Sequence, residues 1–100
     1  MAPMYSIDEL KRLVAPVAEK YDARQLYLFG SFARGEADEN SDIDFRLDMG
    51  KTLGLFALSG FAIDLEGALD RKVDLLTTGA LDEKFLARIQ PEEVLIYAKQ

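Results

Sequence analysis

The segment Ile43-Asp44-Phe45-Arg46-Leu47-Asp48 alternates without a break between apolar and charged side chains. Successive side chains of a strand point to opposite faces, so this is the pattern of a half-buried strand. A chain that contains it must build a sheet and must cover one side of that sheet. The same requirement gives the neighbouring segments their meaning. Gln25-Leu26-Tyr27-Leu28-Phe29 is a short apolar run rich in strand formers and is ended by Gly30. Arg71-Lys72 leads into Val73-Asp74-Leu75-Leu76-Thr77, a further strand, and Val94 to Ala98 can supply a last one.

Helices must cover the sheet. Ser6-Ile7-Asp8-Glu9 has the residues of a capping box, and Leu10, Leu13, Val14 and Val17 recur at helical spacing. They predict a helix from Ile7 to Tyr21, kinked or divided at Pro16. Leu53 to Leu69 reads as a second long helix, weakened by Gly54, Gly60 and Gly67. Its apolar residues, Leu55, Phe56, Leu58, Phe61, Ile63 and Leu65, surround the helix instead of forming one stripe. The sheet and the first helix can cover them all, or another chain can cover part. Ser31 to Arg34 fits a helical turn, Gly35 to Ser41 a polar loop, and Leu81 to Ile89 a short helix stopped by Gln90-Pro91. The expectation is one domain over residues 1–100, of α/β (α+β) class, with a mixed sheet of three to four strands and helices packed on it.

The sequence from Gly30 to Asp48, GSFARGEADENSDIDFRLD, crowds Asp38, Glu39, Asp42, Asp44 and Asp48 behind a glycine-serine turn. Repulsion among them costs stability unless a cation is expected. The formal net charge of −6 argues against a sequence-independent grip on nucleic acid, which needs clustered Lys and Arg. The chain has no Cys and no His, which removes disulfides, thiolate zinc sites and the commonest general base. Catalysis must then run on carboxylates, hydroxyls, Lys, Arg or bound metal. The N-terminus lacks the pattern of a signal peptide, and the apolar stretch TLGLFALSGFAI is too short to span a bilayer. A cytoplasmic protein is expected.

Two familiar cation and phosphate motifs do not fit. Asp38, Asn40 and Asp42 begin like a calcium loop, but Ile43 and Met49 stand where that loop needs Gly and Glu. Gly50-Lys51-Thr52 resembles the end of a phosphate-binding P-loop, but Phe45 stands where it needs another Gly. A different constellation remains. Gly30-Ser31 ends a strand, ten residues lie between Ser31 and Asp42, and Asp42 and Asp44 project to one face of the next strand. Two such carboxylates can hold one or two hard divalent cations, Mg²⁺ first. Gly30 lets backbone N–H groups approach phosphate oxygens, and Ser31 adds a hydroxyl donor. Two ions bridging a triphosphate would activate an attacking oxygen and stabilise departing pyrophosphate.

LFGSFARGEADENSDIDF resembles the signature of the DNA polymerase beta-like nucleotidyltransferases, and within them the minimal nucleotidyltransferase branch, whose motif reads LFGS-x-ARG followed by SDIDL. Lys72 to Thr77, KVDLLT, resembles the branch's segment for a third carboxylate, and the likeness runs from the first helix to VLIYA. The resemblance implies that Gly30 and Ser31 hold the triphosphate of ATP and that Asp42 and Asp44 ligate Mg²⁺. Asp74 would ligate the metal on the nucleophile side or accept the nucleophile's proton. Arg34 matches the family's Arg and would contact a phosphate or tie down the loop; pairing with Glu36 or Asp38 suits it equally. Phe45 and Arg46 depart from two aliphatic residues of the branch, and Arg46 shares a face with Asp44 and Asp48 and can pair with either. Larger family members add domains that grip a second substrate. A bare core implies that the acceptor surface comes from elsewhere. For this branch the resemblance implies a small helical HEPN-domain RNase as partner. The nucleotidyltransferase would be the antitoxin in a hetero-oligomer, neutralising it by complex formation and by moving AMP onto it. A binding module that acts by occlusion, and a transferase for a small-molecule hydroxyl, are the alternatives.

Overall fold

The structure, a computed structural model, describes residues 4–100. Its elements in chain order are α1 (Ile7–Lys20), β1 (Gln25–Phe29), α2 (Ser31–Arg34), β2 (Ile43–Asp48), α3 (Leu55–Leu69), β3 (Val73–Thr77), α4 (Glu83–Ile89) and β4 (Val94–Ala98). Short 3₁₀ turns, Thr78–Ala80 and Gln90–Glu92, bracket α4. The strands form one mixed sheet in the order β3-β2-β1-β4. β1 is antiparallel to β2 and to β4, while β2 and β3 run parallel, with α3 as their crossover.

The alternation of β2 sets the layering. Ile43, Phe45 and Leu47 face one side, where Leu26 and Leu28 lie across from Leu47 and Phe45, and Val73 lies across from Ile43. Of these, all but Val73 are at most 1% exposed. Leu10, Val14 and Ala18 of α1 and Phe61, Leu65 and Leu69 of α3 are 0% exposed and join the same core. Burying a side chain of this size is worth about 1.5–3 kcal/mol. This one-sided core is what holds the other face of β2 at a fixed height above the helices.

The capping box forms as read. Glu9 N–H donates to Ser6 Oγ (3.2 Å) and Ser6 N–H donates to Glu9 Oε1 (2.9 Å). α1 is not divided at Pro16. The proline and Arg12, whose carbonyl loses its helical donor, both lie on the exposed side, where water can supply the missing bond. α1 ends one residue earlier than expected, at Lys20. α3 begins at Leu55 instead of Leu53, because Gly54 is the N-cap and Leu53 packs against the core. α4 begins at Glu83 instead of Leu81, because Asp82 caps it by accepting from Lys84 N–H (2.7 Å) and Phe85 N–H (3.0 Å). Gly60, read as a weak point of α3, lies where Tyr21 closes on the helix. A Cβ there would stand 3.0 Å from the Tyr21 hydroxyl, and the Tyr21 and Phe61 rings stack at 4.7 Å. Among the described residues no helix is long and apolar enough to cross a membrane.

α4 covers part of the second face of the sheet, over β1. Phe85 of α4 meets Phe29 edge to face at 6.0 Å. Beside them Arg46 is buried, against the reading of β2 as half-buried with a uniformly charged outer face. Its partner is neither Asp44 nor Asp48. Glu93, at the entry to β4, takes Arg46 Nε and Nη2 in a fork at 2.6 and 2.9 Å. Nη1 donates to Thr78 Oγ1 at 2.9 Å, and the guanidinium lies 4.3 Å over the Tyr27 ring. The Arg46 and Glu93 side chains are 9% and 5% exposed. Removing one member strands a buried charge, so Arg46→Met is expected to cost about 3–5 kcal/mol in urea unfolding. Lys20→Met, which breaks the exposed pair with Asp64, is expected to leave the urea midpoint nearly unchanged.

Candidate active site

Gly30 follows β1 with φ +78° and ψ −155°, a region that only glycine occupies without strain. The turn brings its Cα against β2. A Cβ on Gly30 would lie 2.2 Å from Asp44 Oδ2. The glycine thus meets two demands at once: the backbone sign and the close approach of a carboxylate. Ser31 follows, half-buried, at the start of α2, and Phe32 anchors that turn in the core.

Asp44 is opposite Phe29 in the β1–β2 ladder and opposite Asp74 in the β2–β3 ladder. Opposed residues share a face, so Asp44 and Asp74 stand side by side, and Asp42, in the loop just before β2, lies near enough for its charge to act on Asp44. The structure therefore brings Gly30, Ser31, Asp42, Asp44 and Asp74 to one open corner of the sheet. Burial first, and then the carboxylates of Asp74, Asp42 and Glu92, push the Asp44 carboxyl up to about 6 against the opposing pull of Arg34.

The other acids of the cluster have different work. Asp38 shapes the loop: its Oδ1 accepts from Asn40 N–H at 2.8 Å and its N–H donates to Ser41 Oγ at 2.9 Å. Glu39 is exposed on that loop. Asp48 lies at the far end of β2, where its carboxylate accepts from Gly50 N–H at 3.0 Å. Arg34 pairs with Glu36 (2.5 Å), as one reading had it, and not with Asp38.

Three residues escaped the reading of the sequence. Arg71 is buried with its guanidinium over the Phe32 ring (4.9 Å), and it donates to the Asp38 carbonyl at 2.9 Å and to that of Ser41. It ties the loop that delivers Asp42 to the start of β3. Glu93 holds Arg46. Glu92 Oε2 accepts from Gly30 N–H at 2.6 Å and from Arg34 Nη1 at 3.0 Å. Glu92 and Gly30 are 62 positions apart, and no local pattern in the sequence links them.

The donor set suits a hard divalent ion. Its oxygens are carboxylates, and Asp44 carries a charge that burial and its neighbours disfavour. Among the described residues no three carboxyl groups converge closely enough to hold an ion by themselves. Mg²⁺ is usually held by one or two carboxylates completed by water and substrate phosphates, so the open pair fits it better than a closed cage would.

Two outcomes follow from this geometry. Gly30→Ala forces a side chain into both the left-handed region and the Asp44 carboxylate; it is expected to displace Asp44 and to lower the thermal midpoint, measured by calorimetry. The second concerns pH. An unfolded aspartate titrates near about 3.9, below the folded value of Asp44. Between the two values the native state holds the extra proton, so stability falls as pH rises through that window and stays reduced above it. In metal-free buffer Asp44→Asn is expected to exceed the parent protein in stability at neutral pH by on the order of 1–3 kcal/mol, with the gap closing near pH 4, measured by urea unfolding.

Comparison with known proteins agrees with this geometry. Residues 12–100 match the family model described as polymerase beta, nucleotidyltransferase. A provisionally assigned protein adenylyltransferase of Methanocaldococcus jannaschii is 35% identical over 89 residues, covering 89% of this chain and 96% of the relative. The protein adenylyltransferase MntA of Thermococcus cleftensis is 27% identical over 97 residues, covering 93% of this chain and 98% of its own. Among solved structures, a chain from tri-AMPylated Shewanella oneidensis HEPN toxin in complex with MNT antitoxin superposes with a TM-score of 0.74 at 21% identity, over 95% of this chain and 75% of that one. With a family model that spans most of its length and relatives that match it nearly end to end, the chain belongs to the polymerase beta nucleotidyltransferase family.

Proposed function

We propose that this nucleotidyltransferase moves AMP from ATP onto a hydroxyl of a protein partner, and that the partner is a HEPN-type RNase toxin whose antitoxin it is. The observation that carries the reading is the contact between Gly30 and Asp44, which joins a phosphate-accepting turn to an acidic pair within one atom's width. Relatives named protein adenylyltransferase, and the complex of an AMPylated HEPN toxin with its antitoxin, support AMP as the group and a protein as the acceptor.

In this reading the Gly30 N–H, the Ser31 hydroxyl and Arg34 hold the triphosphate. Asp42 and Asp44, with Asp74 beside them, would hold two Mg²⁺. When bound, the ions lower the pKa of the acceptor hydroxyl and neutralise the departing pyrophosphate. The acceptor oxygen forms its bond to the α-phosphorus as the bond to the bridging oxygen breaks. Asp74, the exposed member, takes the hydroxyl proton, or holds the ion on that side while the proton passes to solvent water. Cytoplasm, where ATP and RNA meet, is the setting.

A second reading, inhibition by occlusion, draws on one further observation. Leu55, Phe56 and Ile63 of α3 are 76%, 93% and 64% exposed, an apolar surface that suits a partner whether or not chemistry occurs. Incubation with host lysate, Mg²⁺ and ATP labelled at the α-phosphate separates the two readings. Label is expected on one small protein with the parent enzyme and none with Asp42→Asn or Asp44→Asn, both still folded. Transfer retained in both variants would sink the catalytic assignment. A partner that copurifies and takes no label from any of the four nucleotides would favour occlusion.

A further inference from the structure

The turn Gln90–Glu92 ends against the nucleotide corner and sets two adjacent glutamates to different tasks. Glu93 turns inward to the buried Arg46 fork, which fixes the backbone of the turn. Glu92 reaches the other way, 24% exposed at its side chain, and its Oε2 takes both the Gly30 N–H and Arg34 Nη1. This contact is costly on its face. It adds a fourth carboxylate to a corner that already holds Asp42, Asp44 and Asp74, and its charge works against ionised Asp44. A neutral residue would avoid that repulsion. What the position offers is a backbone N–H on a glycine turn flanked by a guanidinium, the donor pair that recognises a phosphate oxygen.

We infer that the Glu92 carboxylate is a built-in occupant of the triphosphate position. It stands in for a phosphate oxygen in the nucleotide-free enzyme and must swing out when a nucleoside triphosphate arrives. The inference rests on the nucleotidyl-transfer reading and adds a regulated threshold to it. The Gly30 N–H has a single hydrogen to give and Arg34 Nη1 points at the same Glu92 oxygen, so a phosphate oxygen seeking this donor pair competes with Glu92 for it. Because Glu93 stays locked to Arg46, release needs only a rotation of the Glu92 side chain. The freed Arg34 then pairs with phosphate while keeping Glu36.

The test is binding of a non-hydrolysable ATP analogue, with Mg²⁺, to the parent protein, Glu92→Gln and Glu92→Ala, beside AMP and adenosine. Both variants are expected to bind the triphosphate roughly tenfold more tightly, the usual scale of one charge-assisted contact no longer in competition. AMP is expected to change less and adenosine not at all. The KM for ATP should fall in step. A Glu92 that merely braces the turn predicts the opposite: weaker triphosphate binding together with a lower unfolding midpoint. Either that result or equal affinity in parent and variants overturns the inference while leaving nucleotidyl transfer standing. Absence of triphosphate binding in all three proteins overturns both.

Discussion

The fork between Arg46 and Glu93 governs how the second face of the sheet is used. β2 presents Asp44, Arg46 and Asp48 along one line, and a line of charges would ordinarily lie open to water. The fork buries the middle of that line against Tyr27, Thr78 and the entry to β4. The face is thereby divided: at one end Asp48 shapes a turn, and at the other Asp44 stays half-buried beside the charges of Asp42 and Asp74. A buried pair of this kind adds little net stability over an apolar substitute. Its value here is positional, because the same contact carries Glu92 to Gly30.

The crowding of acids behind the glycine-serine turn also finds its explanation in division. Asp38 satisfies backbone donors of its loop, Asp48 closes a turn, and Glu39 faces solvent. Only Asp42 and Asp44 remain for the corner, where β3 adds Asp74 from a distant part of the chain. Arg71 places a positive charge beneath the loop and donates to the carbonyls of Asp38 and Ser41.

Much of this was legible in the sequence where it depends on local periodicity. The four strands have the bounds that alternation and apolar runs indicate, and the Ser6–Glu9 box closes as its residues require. Helix starts were legible less well, since Gly54 and Asp82 cap helices whose apolar pattern begins earlier. The fate of Pro16 turned on which side of α1 it occupies. Gly30-Ser31 and the Asp42–Asp44 pair read as one constellation from their spacing, but the packing of Gly30 directly against Asp44 is a tertiary fact that no local pattern states. The partners of Arg46, Arg34 and Gly30 in the Gln90–Glu93 segment were illegible, because pairs separated by 47 to 62 positions leave no periodic trace. Gly60 shows the same limit: the sequence reveals a weak helix former, and the Tyr21 hydroxyl supplies the reason for it.

The order β3-β2-β1-β4 has a mechanical consequence for the corner. Asp44 sits on an interior strand laddered on both sides, whereas Asp74 sits on an edge strand laddered to β2 alone. Restoring forces across the site are therefore unequal, stiff at Asp44 and compliant at Asp74. In the proposed reaction an acceptor arriving past β3 would meet the exposed Asp74 before the half-buried Asp44.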